Sequence, residues 1–205
     1  MNQTIVVNGN DFQLEDLVNI ARNGRDIAIA ESSKGRINKA RALVDNWVRK
    51  GERIYGVTTG FGALSDVTIS PADTRRLQKK ILFSHAAGMG GEMEADVVRA
   101  MMALRINDFC RGNSGLHLQT IQMLADMLNS GIVPVVPEKG SVGASGDLVP
   151  MAHLALVMIG EGEAFVDGIR MSGAKALASR SLKPLELAAG EGLALINGTQ
   201  FMIAL

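Results

Sequence analysis

Apolar residues recur along most of this chain at intervals of three and four, a spacing that lines one face of a helix and scatters over both faces of a strand. Leu14, Leu17 and Val18 open the pattern, and Ile37, Ala40, Leu43, Val44 and Trp47 continue it in a stripe that ends near Gly51, with Ser32 or Ser33 as cap. Ser70-Pro71 predicts a third helix through Asp73, Leu77, Ile81 and Leu82, with proline where its missing N–H costs nothing. A fourth follows Gly88, Gly90 and Gly91 and carries Val97, Met101, Leu104 and Ile106; a fifth runs from Ser114 to about Asn129, stopped by Gly131. Extended segments are few and short: TIVV at the start, IVPVVP held open by Pro134 and Pro137, and AFVDGIRM as a hairpin around Asp167-Gly168. The expectation is a mainly α, helical domain with short strands and a small hairpin, forming one unit without repeats.

Composition narrows the function. With 47% hydrophobic residues over 205 positions the chain can bury a real core. Lys plus Arg and Asp plus Glu both number 21, without long runs of either sign, so the basic footprint of a nucleic-acid binder is missing. The opening MNQTIVVNGNDF has neither basic leader nor apolar core of a signal sequence, which predicts a cytoplasmic protein. The longest apolar run, Leu148 to Ile159, is shorter than the roughly 20 residues of a membrane span. Cys110 is the single cysteine and reads as a core thiol. GLALINGTQFMIAL reaches Leu205 with no cap, closing glycine or polar tail, which predicts a truncated chain or a last helix covered by something else.

Two glycine-containing loops call for chemistry. Ile54 to Val67, IYGVTTGFGALSDV, holds the only tyrosine, Tyr55, beside Phe61, and reads equally as a self-packed loop or a flap over a ligand. Gly140 to Asp147, GSVGASGD, precedes an apolar helix. A phosphate loop would need a lysine and has Asp147 instead; a nucleophile elbow would need a glycine two residues after Ser145. A plain turn with Asp147 as helix N-cap explains the aspartate but not Ala-Ser-Gly. Another chemistry wants small residues only: the amide nitrogen of Gly146 attacks the carbonyl carbon of Ala144, and loss of water from the ring and from Ser145 leaves an exocyclic methylene, an electrophile made from backbone.

The segments YGVTTGFG, PEKGSVGASGDLVPMAH and GLALINGTQ resemble, in that family's order, the tyrosine loop, prosthetic-group segment and active-site asparagine segment of the aromatic amino-acid ammonia-lyases and aminomutases. The resemblance covers nearly the whole chain. It implies that Ala144, Ser145 and Gly146 cyclise to 4-methylideneimidazol-5-one with no external cofactor, and that Tyr55 removes a β-proton from a bound aromatic amino acid. Asn197 would hydrogen-bond substrate or prosthetic group; read alone, it is a turn asparagine. A free tyrosine, with a pKa of about 10, is a weak base at neutral pH, so the site must supply further electrostatic help.

His85 bears on the substrate. By resemblance it faces the substrate side chain, and an imidazole can hydrogen-bond an imidazole or phenol ring but gains nothing from a phenyl group. The Ser-His pair and the segments GEGEA and NGTQ are similar to the histidine-using branch, whereas Thr59 stands where many histidine lyases have asparagine. His117 and His153 match no metal spacing and read as structural. Family members run far longer, with a central helical bundle and tetrameric active sites built from several subunits. The chain therefore reads as residues 1–205 of a histidine ammonia-lyase, truncated before that bundle and inactive alone. A tyrosine ammonia-lyase, a tyrosine 2,3-aminomutase and a non-catalytic helical fragment with uncyclised Ser145 remain the alternatives.

Overall fold

The computed structural model describes residues 4–62, 65, 67, 69–143 and 146–205. Strand β1 (Ile5–Val7) lies parallel to β2 (Ile27–Ile29), with Ile5 opposite Ile27, and helix α1 (Leu14–Ala21) forms the crossover between them. A three-residue strand such as β2 carries too little alternation to stand out in sequence. Helix α2 (Glu31–Lys50) starts ahead of the expected serine cap: Ala30 is the cap residue, and Ser33 is buried with its hydroxyl 3.4 Å from the Asn8 carbonyl. It ends at Gly51, whose φ of 66° closes the last turn.

Helix α3 (Pro71–His85) begins as the Ser-Pro signal predicts, with the Ser70 hydroxyl accepting the Asp73 N–H at 3.2 Å. The glycines that follow form β3 (Met89–Glu92), antiparallel to β5 (Pro137–Lys139), before α4 (Ala95–Phe109). Helix α5 (Leu118–Asn129) begins four residues later than the apolar spacing predicts. Gly115 has a φ of 66° and lies against Val44, so the chain bends there before it can coil. Strand β4 (Val133–Pro134) joins β6 (Glu163–Val166) and β7 (Ile169–Ser172) in a small antiparallel sheet, whose hairpin turns at Asp167-Gly168 with φ of 51° and 76°.

Helix α6 (Leu148–Met158) follows the GSVGASGD segment, and α7 (Gly173–Ser179), α8 (Glu191–Ile196) and α9 (Gln200–Ala204) complete the order. The expected last helix is thus two helices with a corner at 197–199. Met101, Met102, Ile106 and Phe109 of α4 meet Ile121, Leu124 and Met127 of α5 and Met151, Leu154 and Val157 of α6 in one core. None of the helices, among the described residues, is long and apolar enough to cross a membrane. The fold is mainly α, and its core clamps α8 between α3 and α6.

Candidate active site

The base of the tyrosine loop is a hydroxyl-braced turn. Thr58 Oγ1 accepts the Ile54 N–H at 2.8 Å, and Thr59 Oγ1 accepts the Gly56 N–H at 3.3 Å and donates to the Gly60 carbonyl at 3.0 Å. Thr59, read in sequence only as a departure from asparagine, is 1% exposed and ties the turn together. Tyr55 is 56% exposed, its ring edge-on to Phe61 at 6.1 Å between centroids, and its hydroxyl lies 3.4 Å from the Gly62 N–H. Residues 63, 64 and 66 of the loop lie outside the described residues.

The loop rests on α8. A Cβ on Gly56, whose φ is 69°, would stand 2.4 Å from Leu193 Cδ2, and one on Gly190 would stand 3.2 Å from Val57. Helix α8 is held in turn by α3: the Gly192 N–H donates to Gln78 Oε1 at 2.9 Å, and a Cβ on Gly192 would meet the Gln78 carbonyl at 2.7 Å. Close approach at these glycines, to the Gln78 backbone and to the Leu193 and Val57 side chains, therefore packs α3, α8 and the tyrosine turn together.

Of the three residues that the sequence marks for cyclisation, Ala144 and Ser145 lie outside the described residues; Gly146 does not. Gly146 has a φ of 122°, and a Cβ there would stand 2.7 Å from both N and O of Gly198. The next residue, Asp147, donates its N–H to the Gly198 carbonyl at 2.6 Å. So Gly146 and the Asn197-Gly198 corner, fifty residues apart, share one contact. Only a glycine fits so tight a bend with no space for a side chain.

Asp147 differs from its sequence reading. It occupies the N-cap position of α6, yet its carboxylate makes no cap bond there. Buried to 3% exposure, it accepts the Ser141 hydroxyl and the Met202 N–H, the latter at 3.0 Å. It therefore caps the first turn of α9 and binds the Gly-rich segment to that helix, a partner that sequence spacing cannot reveal.

Asn197 ends α8 as its C-cap, N–H donating to the Leu193 carbonyl at 3.0 Å, with an exposed side chain that has no hydrogen bond among the described residues. His85 ends α3. Its Nδ1 lies 2.9 Å from the Ile81 carbonyl and 3.0 Å from the Ser84 hydroxyl, which donates to that carbonyl at 2.9 Å; because a carbonyl only accepts, the contact suits the neutral tautomer with its proton on Nδ1 and the Nε2 lone pair open. The side chains of Tyr55, His85 and Asn197 make no hydrogen bond to one another among the described residues; they are carried by the packed α3, α8 and tyrosine turn.

The other histidines have structural partners. His153 Nε2 accepts the Gly88 N–H at 3.1 Å, three residues beyond His85, and burial pushes its pKa below the usual histidine value. His117 caps α5 beside the buried Glu191, whose carboxylate accepts the His117 N–H at 3.0 Å, the Thr120 hydroxyl at 2.6 Å and the Ala188 N–H at 2.8 Å. Cys110 is fully buried, and burial pushes its thiol up to about 11. Among the described residues no group of three His, Cys, Asp or Glu is placed to hold a metal.

A cleft of about 390 Å³ lined by Arg75, Arg76, Lys79, Ile159, Leu185 and Leu187 shares no residue with this corner. Its cations already face Glu186 at 3.7 Å, Asp73 at 2.7 Å and Glu161 at 2.7 Å.

A model of the aromatic amino acid lyase family matches residues 12–205. A histidine ammonia-lyase of Alkaliphilus oremlandii is 48% identical over 201 residues, 98% of this chain and 40% of that protein. Among solved structures, the ergothioneine-degrading ergothionase of Treponema denticola superposes with a TM-score of 0.95 at 28% identity, across 98% of this chain and 40% of that one. A tyrosine aminomutase of Streptomyces globisporus does so with a TM-score of 0.93 at 35% identity, across 98% and 38%. The chain spans about 40% of the length of the curated relatives it matches.

Proposed function

The chain belongs to the aromatic amino acid lyase family, and from that premise we propose that it carries the electrophile-forming part of a histidine ammonia-lyase, which eliminates ammonia from L-histidine to give trans-urocanate. The observation that carries the reading is the 48% identity to a histidine ammonia-lyase across nearly the whole chain. Two features of the site support it: the bend at Gly146 against Gly198, and the His85 imidazole with Nε2 free to accept from a polar ring.

The residues present fit a group built from Ala144, Ser145 and Gly146, because the close approach at Gly146 leaves room for no side chain. That group, 4-methylideneimidazol-5-one, would supply an electrophile that activates the substrate amine as a leaving group. Tyr55, on a loop anchored by Gly56 against Leu193, is the base that withdraws the β-proton. Its exposure suits a side chain that must reach a bound molecule. Asn197 offers its amide to substrate or prosthetic group, and His85 Nε2 accepts a hydrogen from the substrate ring, so a phenyl side chain has no partner there. The protein is a cytoplasmic homotetramer in this reading, and residues 1–205 are its N-terminal part, inactive alone.

Tyrosine as substrate is the second reading, favoured by the 35% identity to a tyrosine aminomutase and by the ability of Nε2 to accept from a phenol. Product analysis on the full-length protein tests both: urocanate from L-histidine supports the first reading, whereas coumarate or a β-amino acid from L-tyrosine, with histidine untouched, refutes it. Intact mass tests the electrophile, since Ala144–Gly146 must be lighter by two waters. Turnover by the 205-residue chain alone would refute its inactivity.

A further inference from the structure

Arg105 stands in the last turn and a half of α4, 2% exposed, in a helix whose other buried residues there are apolar. Its guanidinium lies over the Phe109 ring at 4.3 Å. From that bed its fork reaches the α8–α9 corner on two sides. Nη2 donates to the carbonyls of Ala194 and, at 2.8 Å, Asn197; Nη1 donates to Gln200 Oε1 at 3.1 Å and to the Asp108 carboxylate at 3.0 Å. Carbonyls at a helix C-terminus lack intrahelical donors, and a cation there also meets the negative end of the helix dipole. Burial lowers the pKa of Arg105 to about 10, with Asp108 acting the other way, so the group stays charged at neutral pH.

The corner leaves no slack around this cation. A Cβ on Gly198 would stand 2.1 Å from Gln200 Oε1 and 2.4 Å from Arg105 Nη1. Asn197 is consequently fixed at both ends of its peptide units: its N–H by Leu193 and its carbonyl by Arg105, while its side chain stays free. On the opposite side of the same corner, Gly198 receives the Asp147 N–H and touches Gly146.

We infer that Arg105 is a positioning residue of the active site, a buried clamp that fixes the backbone of Asn197, from which its side-chain amide projects, and the placement of Gly198 against Gly146. The role of Asn197 in this statement rests on the lyase reading; the clamp itself does not. A lysine cannot replace it, because one ammonium cannot satisfy the carbonyls on one side and Gln200 with Asp108 on the other.

The test uses the full-length protein with Arg105→Lys and Arg105→Met, and has two arms. In hydrogen exchange, peptides spanning residues 194–202 should exchange at least ~10-fold faster in the variants, with α2 unchanged; unaltered exchange at 194–202 overturns the inference. If Arg105→Met does not fold, Arg105→Lys gives the same readout. In turnover, Arg105→Lys should lower kcat about 10²-fold with KM within about threefold. Made on top of Asn197→Ala, it should cost less than about threefold more, because both act on one group. An equal loss in the two backgrounds marks a merely structural residue and overturns the inference. A wild-type protein that releases no ammonia from any aromatic amino acid refutes the lyase reading instead, and hydrogen exchange then decides the clamp.

Discussion

Glu191 offers the sharpest test of how α8 is seated. It is 1% exposed, and its two oxygens divide three hydrogen-bond donors unequally: Oε1 takes the His117 N–H and the Thr120 hydroxyl and also lies 3.3 Å from His117 Nδ1, and Oε2 takes the Ala188 N–H. In Glu191→Gln the amide oxygen can occupy the Oε1 position and keep two of those bonds. Its NH2 then faces the Ala188 N–H, donor against donor. One buried donor left unpaired costs about 1–3 kcal/mol, beyond the weakening of two bonds that no longer end on a charge. Glu191→Ala strands all three donors and should cost about 3–5 kcal/mol. For a chain of this size, 1 kcal/mol lowers Tm by roughly 2–4 °C, so the glutamine variant should melt about 2–12 °C lower and the alanine variant lower still. Calorimetry with urea unfolding, giving ΔG from midpoint and slope, is the assay. A glutamine variant within about 0.5 kcal/mol of wild type would refute the reasoning, since it would mean that the third donor finds water or another acceptor.

Three further outcomes are expected. Gly56→Ala should destabilise the protein by about 1–3 kcal/mol, because it adds a Cβ at positive φ 2.4 Å from Leu193 Cδ2, and limited proteolysis should then cut first within residues 54–67. His153 titrates lower in the folded protein than in the unfolded chain, so the unfolded state takes up the proton first as pH falls below about 6.5; stability is lost there, and His153→Gln should flatten that part of a stability–pH curve. Cys110 titrates higher when folded, so its thiolate forms first in the unfolded chain and stability falls as pH rises from about 9 to about 11. A thiol reagent at pH 8 should modify Cys110 only in denaturant, and fast labelling of the native protein would contradict its burial.

Much of the helical frame is legible in the sequence because helix period and capping are local. Ser70-Pro71 starts α3 where it should, Gly51 and Gly131 stop their helices, and Asp167-Gly168 turns the hairpin. What misleads is a glycine that looks like a helix residue but serves a contact. Gly115 bends against Val44 and delays α5, and Gly198 breaks an apolar run that would otherwise coil through to Leu205. Among the candidate site residues, Tyr55, His85, Gly146 and Asn197 could be named from motifs. Arg105 could not, since an arginine between Leu104 and Ile106 reads as a helix residue of unknown face.

By itself the sequence determined the family it resembles and a mainly α fold, and it marked the short segments proposed to carry chemistry, because periodicity, turn residues and motif order are properties of neighbours along the chain. The tertiary structure alone decided who meets whom. It gave the Asp147 carboxylate to α9 rather than α6, put a buried guanidinium behind Asn197, and pressed Gly146 onto Gly198. The reason is physical: an unsatisfied carbonyl or N–H at a helix end must find a partner when buried, and which partner arrives is set by how helices far apart in sequence pack.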